Sequence, residues 1–261
     1  MNIAGKTALI TGGGSGIGRA TAQALAAKGA KRIWIVDRDA VTAEETAALL
    51  RPLGVEAIVR VFDVGDLAAL TAVFEEADAA GGLDIVFNNA GVLAGKQLFP
   101  DTPLKRIESI VAVNITAVIL GTQLGIAHMS KRGGGVVVNT GSTVAFHARH
   151  RDYLYTMSKA AVVSFSAACA PLFETTGVRV NTVLPGLVNT PILLQTGDGE
   201  LADYMIPIIA NNPALEPQDI ACGVISLIED DTRNGEQLVV SAGPASAAAH
   251  DHSRIRVFEF D

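Results

Sequence analysis

Short runs of consecutive apolar, mostly β-branched residues recur along the chain, separated by longer Ala- and Leu-rich stretches in which apolar positions return every three to four residues. The short runs predict strands near 6–11, 32–37, 56–62, 83–88, 135–140, 178–184 and 236–241. The longer stretches predict helices near 16–29, 41–52, 66–80, 103–132 with a break, 153–175 and 217–229. Runs such as ALIT, IWIV, IVFN and VVVN are apolar almost throughout instead of alternating, as expected when helices cover both faces of a parallel sheet. Strands alternating with helices from end to end predict one α/β domain over residues 1–261, with no linker, repeat or low-complexity tract.

Two segments fall outside that rhythm. Residues 192–217 are apolar with scattered Gly and Pro, and a long insertion at the carboxyl edge of a sheet is where a binding lid sits; an ordinary surface excursion is the alternative. The tail, residues 244–261, ends in RIRVFEFD, which reads either as an edge strand or as partly disordered chain. One helix also stands out, because Ile110 to Ser130 carries no Asp, Glu, Lys or Arg and is long enough to span a bilayer. Asn114, Thr116, Gln123 and His128 spread around it, which predicts a helix buried on several faces, against its sheet and against a second subunit.

Composition narrows the function classes. Of 261 residues, 49% are hydrophobic, 18% charged and 5% aromatic, which supplies a large aliphatic core. A net charge of −7 argues against a nucleic-acid partner, HARHR at 147–151 being the sole basic cluster. Cys169 and Cys222 lie in apolar helical patterns and read as packing residues, and the N-terminal MNIAGKTALIT lacks the pattern of a secretory leader. The expectation is a cytoplasmic protein without membrane or metal site; His147/His150 and His250/His252 have no closed set of further ligands at metal spacing.

The first strand runs directly into Thr11-Gly-Gly-Gly-Ser-Gly-Ile-Gly18 and then a helix. Glycines Gly12, Gly14, Gly16 and Gly18, with Ser15 and Ile17 between them, permit a tight turn, close backbone approach to a pyrophosphate, and a helix N-terminus aimed at phosphate. Asp37 ends the next strand about 20 residues on, where a carboxylate binds adenosine ribose hydroxyls and repels a 2′-phosphate. That favours NAD. Arg38 keeps NADP open, while Ser15 offers no second charge for it. Asp63-Val64 and Asn88-Asn89-Ala90-Gly91 end the third and fourth strands, where ligands of such sheets bind. In HARHRDYLYTMSK, Tyr155 has Lys159 four residues later on the same helix face, whereas Tyr153 has Met157 there. Tyr155 is therefore the chemical candidate, its phenol needing a nearby cation to serve as a base at neutral pH.

With TGGGSGIG, Asp63, NNAG, Asn114, Ser142, Tyr155 and Lys159 in order, residues 4–243 resemble the short-chain dehydrogenase/reductase family. The resemblance implies a Rossmann fold with a doubly wound, seven-stranded parallel sheet in the order 3-2-1-4-5-6-7. It implies Ser142, thirteen residues before Tyr155, as the group that positions the substrate oxygen, and Asn114 as the residue whose backbone holds a water leading from Lys159 to solvent. It also implies that Pro185 and Gly186 shape a turn in which Val188 and Thr190 hold the nicotinamide carboxamide, and that the assembly is a homodimer or homotetramer. GTQLGIAHMSKRGGG, PGLVNTPIL and LIEDDTRNGEQLVV look most like the hydroxyprostaglandin dehydrogenase branch, which implies an NAD-linked oxidation of a secondary alcohol to a ketone on a lipophilic molecule. Apolar Ile192, Leu193, Leu194, Tyr204, Met205, Ile206, Ile208 and Ile209 in the lid suit such a substrate. Phe146, His147, Arg149, His150, Arg151 and Asp152 depart from that branch, and Asp152 replaces an amide; the stretch reads as a substrate contact, a solvated crest or a subunit contact. NADPH-linked ketone reduction and NAD(H) sensing without turnover are the rival readings.

Overall fold

A computed structural model of the chain describes residues 1–146 and 151–242. His147, Arg149 and His150, together with the tail beyond Ala242, lie outside the described residues. Seven parallel strands form one sheet: β1 Thr7–Thr11, β2 Arg32–Asp37, β3 Glu56–Val61, β4 Ile85–Asn88, β5 Gly135–Thr140, β6 Val178–Pro185 and β7 Gln237–Val240. Their order, β3-β2-β1-β4-β5-β6-β7, is the one implied by the family resemblance. Every strand-to-strand register is parallel, from Trp34 beside Leu9 and Ile58 to Leu184 beside Val239. β1, β5 and β6 are buried at every position, which is why their sequences show no alternation, while edge strand β3 is only partly covered.

Successive strand residues feed two aliphatic layers, because side chains leave a strand on alternating faces. Ile10, Ile33, Ile35, Phe87 and Val138 pack on one side with α1 (Gly16–Ala27), α2 (Ala40–Leu50) and α9 (Pro217–Glu229). Leu9, Trp34, Val36, Val86 and Val137 pack on the other with α3 (Leu67–Ala79), α4 (Leu104–Val111), α5 (Ala117–Met129) and α6 (Tyr153–Ala168). The break expected within 103–132 is a π turn, Ala112–Thr116, joining α4 to α5. The expected helix over 153–175 is interrupted: α6 stops at Ala168, a 3₁₀ turn holds Pro171, and a single turn, α7 (Phe173–Thr176), ends on Gly177.

The uncharged helix lies on the sheet. A Cβ on Gly121 would stand 2.3 Å from Asn88 Oδ1 and one on Gly125 would touch Val86 and Val137, so small residues bring α5 against β4 and β5. Beneath it runs a buried polar ladder: Asn88 Nδ2 donates to Asn139 Oδ1 at 2.9 Å, and Asn139 Nδ2 donates to Ser166 Oγ at 2.9 Å. Satisfied amides of this kind fix α6, and the tyrosine it carries, to the strand ends. The helical stretches Leu104–Arg132 and Tyr153–Thr176 are long and apolar enough to cross a membrane, yet both include faces packed on this sheet.

The lid begins with a 3₁₀ helix, Pro191–Gly197, continues through α8 (Met205–Asn211), and returns to the sheet end. There Asn189 N–H donates to Leu215 O and Leu215 N–H to Leu187 O, both at 2.8 Å. The lid is thus hinged to the turn after β6 at both of its ends.

Candidate active site

The carboxyl ends of β1, β2, β4, β5 and β6 open onto a cavity of about 970 Å³, large enough for a dinucleotide and a small molecule together. Gly12, Ser15, Gly16 and Ile17 line it, as do Asp37, Arg38, Asp63 and Val64. Asn89, Ala90 and Gly91 line the same cavity, and so do Pro185, Gly186, Val188 and Thr190. Two predicted loop glycines lie behind the wall. Gly14 packs against Asp37 and Thr42, and a Cβ on Gly18 would stand 2.0 Å from Gly12 O.

The glycine loop is held from outside by groups that sequence reading missed. Arg19 Nε and a terminal nitrogen donate to Gly14 O at 2.9 and 2.6 Å, and Thr46 Oγ1 donates to the same carbonyl at 3.1 Å. Asn89 Nδ2 donates to Thr11 O and Gly12 O, while Thr11 Oγ1 accepts from Asn89 and Ala90 N–H. Asp37 Oδ2 accepts from Gly14 N–H at 2.9 Å, so this carboxylate braces the loop as well as facing the cavity. Ser15 stands at the N-cap of α1 without a side-chain cap bond, leaving the helix-head amides open toward the cavity. A Cβ on Gly16 would meet Thr190 at 3.0 Å, which brings the loop and the turn after β6 together across the same space. These features fit a dinucleotide pyrophosphate.

Ser142, Tyr155 and Lys159 meet in the middle of the cavity. Lys159, buried, donates from Nζ to Thr140 O at 2.7 Å and stands 5.6 Å from the Tyr155 ring centre. Burial pulls its ammonium down to about 8. Burial pushes the Tyr155 phenol up, the Asp152 carboxylate pushes it the same way, and a hydrogen bond with Ser142 opposes both. Asn114 sits one layer back in the π turn, where Oδ1 accepts from Val92 N–H and Nδ2 donates to Val92 O and Ser158 Oγ. It bridges the β4 loop to α6 one residue before Lys159. Tyr153, by contrast, is exposed and packs edge-on against Phe99, outside the cavity wall.

The family model described as short chain dehydrogenase matches residues 6–200. The chain belongs to the short-chain dehydrogenase family. This dehydrogenase is 36% identical over 255 residues to the 15-hydroxyprostaglandin dehydrogenase [NAD(+)] of Bos taurus, covering 90% of each chain. It is 35% identical over 244 residues to a 2,5-dichloro-2,5-cyclohexadiene-1,4-diol dehydrogenase of Sphingobium indicum, covering 92% of this chain and 96% of that one. Similar solved structures include a short chain dehydrogenase from Burkholderia cenocepacia in complex with NADP, with TM-score 0.80, 31% identity and coverage of 92% and 98%. Another is a 3-ketoacyl-(acyl-carrier-protein) reductase from Brucella melitensis complexed with NADH, with TM-score 0.81, 31% identity and the same coverage. The dehydrogenase is therefore an oxidoreductase with a nucleotide-cofactor site.

Asp152 has a structural task that the sequence reading did not foresee. Its Oδ1 caps α6 by accepting from Tyr155 N–H at 2.9 Å, and its Oδ2 accepts from Ala94 N–H at 2.8 Å. In the lid, Ile192, Leu193, Tyr204, Met205 and the partly exposed Ile208 line the cavity, whereas Leu194 and Ile206 are exposed outside its lining.

Proposed function

We propose that this dehydrogenase interconverts a secondary alcohol and a ketone on a lipophilic small molecule, with NAD as hydride acceptor and Tyr155 as the general base of oxidation and general acid of reduction. The observation that carries the reading is the meeting of Ser142, Tyr155 and Lys159 in one cavity with the glycine loop and Asp37. A bound nicotinamide supplies the hydride chemistry. Ser142 holds the substrate oxygen and Tyr155 takes the hydroxyl proton, while the Lys159 cation favours the phenolate against the burial that opposes it. Asn114 keeps Lys159 in place by tying its helix to the β4 loop, and the π turn around it leaves backbone for a water on the route to solvent. Gly12, Ser15, Gly16 and Ile17 would take the pyrophosphate and Val188 and Thr190 the carboxamide, with Asp63, Val64 and Asn89 to Gly91 lining the same cavity at their strand ends.

Asp37 supports NAD, as does the NAD(+) of the hydroxyprostaglandin dehydrogenase relatives. Arg38 favours a second reading, NADPH-linked ketone reduction, because it lines the same cavity and the Burkholderia neighbour holds NADP. NAD is expected to bind more tightly than NADP by about tenfold or more. Asp37→Asn, which keeps an acceptor for Gly14 N–H and removes the charge, is expected to erase most of that preference. Fluorescence titration with NADH and NADPH decides it, and equal affinities in the unaltered protein would favour the second reading. Reduction of NAD across aliphatic, alicyclic, steroid and aryl secondary alcohols then tests the reaction; binding without turnover of any of them would instead favour a sensor.

Enzymes of this family act on small molecules and typically oligomerise. A homodimer or homotetramer of this chain agrees with Leu104, Val111, Ile119, Met157, Leu172 and Phe173, apolar residues exposed on the helices around Asn114 and Tyr155.

A further inference from the structure

The lid is attached in two unlike ways. At its ends the backbone bonds between Leu187, Asn189 and Leu215 are short, 2.8 Å each. Its middle is tied to the loop after β4 by two longer bonds to side chains: Leu93 N–H donates to Gln195 Oε1 at 3.1 Å, and Lys96 N–H donates to Asp198 Oδ1 at 3.3 Å. Among the described residues no other hydrogen bond joins residues 191–213 to that loop, and Tyr204 adds a ring contact with the Arg151 guanidinium at 5.5 Å. The Asp198 tie is built for close approach. Asp198 follows the 3₁₀ helix Pro191–Gly197 at φ +59°, and among the described residues no other non-glycine residue has a positive φ. Gly95 faces it at φ +87°, where a Cβ would stand 2.5 Å from Asp198 Oδ1 and 3.0 Å from Arg106 Nη2. Arg106, on α4, donates from Nε to Ala94 O at 3.0 Å and brings Nη2 to 3.9 Å from the Asp198 carboxylate. A left-handed aspartate, a glycine with no room for a side chain and an arginine gripping the loop thus meet at one point. Unfavourable backbone at a non-glycine residue persists where its side chain holds something in place.

We infer that Asp198 is a salt-sensitive latch: through Lys96 N–H and Arg106 it holds the lid against the loop after β4, and its release opens the cavity while the Leu187–Leu215 hinge stays bonded. The loop is the fixed partner, because Val92 N–H and Val92 O are both bonded to Asn114. The lid is the moving one, and Ile192, Leu193, Tyr204 and Met205 withdraw from the cavity with it. The latch is the attachment that gives way first. More than half of the Asp198 side chain is exposed, so its ion pair is weak and screened by salt, whereas the hinge consists of backbone bonds. Asp198 does not line the cavity and acts as a positioning residue. The inference goes beyond the proposed reaction and is independent of which alcohol is oxidised.

Chymotrypsin digestion of the full chain, followed by mass spectrometry, reads lid opening as cleavage after Leu194 and Tyr204. Asp198→Gly keeps the left-handed conformation and removes the carboxylate; cleavage there is expected to quicken about tenfold. Asp198→Asn tolerates the same backbone and keeps an acceptor for Lys96 N–H while losing the charge, so about two- to fivefold is expected. Raising NaCl from about 0.05 to 0.5 M is expected to bring the unaltered protein to the rate of Asp198→Asn and to leave that variant unchanged. With the alcohol turned over best, Asp198→Gly is expected to raise KM about fivefold without lowering kcat. Binding of NADH shows that each variant is folded; should Asp198→Gly fail there, Asp198→Asn and the salt dependence decide. Lid cleavage that is unchanged in the variants, or that ignores salt in the unaltered protein, would overturn the latch. So would faster cleavage spread along the whole chain, the mark of general destabilisation. A protein that reduces neither NAD nor NADP with any alcohol would end the proposed reaction, and the cleavage and salt results would still decide the latch.

Discussion

Tyr155→Phe is expected to lower turnover by about 10²- to 10⁴-fold while NAD(H) binding persists. The asymmetry follows from where the atoms sit. The phenol oxygen is the only group lost, and α6 keeps its cap because Asp152 bonds to the backbone N–H of residue 155, not to its side chain. The glycine loop, Asp37 and the turn after β6 are untouched. The pH dependence has a definite sign. Oxidation needs the phenolate, so its rate rises with pH through the apparent pKa of Tyr155; reduction needs the phenol and falls over the same range. Burial and Asp152 move that pKa up, and the Lys159 cation with the oxidised nicotinamide must bring it down. Lys159→Met therefore shifts the rise in oxidation to higher pH. Stopped-flow hydride transfer measured against pH, with NADH fluorescence for binding, checks all of this. Near-normal turnover in Tyr155→Phe would remove Tyr155 from the reaction.

How much of this was legible in the chain depends on the range of the interaction. Strand runs, the glycine loop, Asp37 and the Tyr155–Lys159 pair are local patterns, set by backbone geometry within one turn or one strand end, and each lies where the sequence placed it. Other features need partners far along the chain. The stretch ending at Asp152 reads as a substrate contact, a solvated crest or a subunit contact, and only the fold shows that Ala94, 58 residues away, donates to this carboxylate. Arg19 looks like an ordinary helix residue, yet its guanidinium holds Gly14 O and Thr42 O across the α1–α2 gap. Asn139 is an unremarked strand residue until Asn88 and Ser166 close on it. Gln195 lies in the lid, and only its bond to Leu93, 102 residues back, aims its amide at the cavity. Among the four glycines assigned to the cofactor, the pattern alone does not separate those that face it from those that let the loop close. Gly12 and Gly16 face the cavity, while Gly14 and Gly18 lie behind it.

That distinction yields the second large effect. Gly18→Ala is expected to weaken NAD(H) binding about a hundredfold although residue 18 does not line the cavity. An added Cβ would lie 2.0 Å from Gly12 O and 2.8 Å from Gly12 C, both backbone atoms, so no rotamer change relieves it. Gly12 cannot retreat. It holds φ +63°, a Cβ built on it would already stand 2.9 Å from Ala90 Cα, and its carbonyl accepts from Asn89 Nδ2. The remaining freedom is for α1 to back away from β1, but Arg19, the next residue, clamps the helix to Gly14 O and Thr42 O. The strain is shared between loop and helix, costing about 1–3 kcal/mol of stability and several degrees in Tm. Displacing Gly16 and the helix-head amides by even an ångström misplaces the pyrophosphate site, so affinity falls far more than stability does. Calorimetric binding of NADH alongside thermal melting separates the two. A variant that melts early yet binds NADH normally would show that the loop tolerates the added methyl and that its closure does not set cofactor affinity.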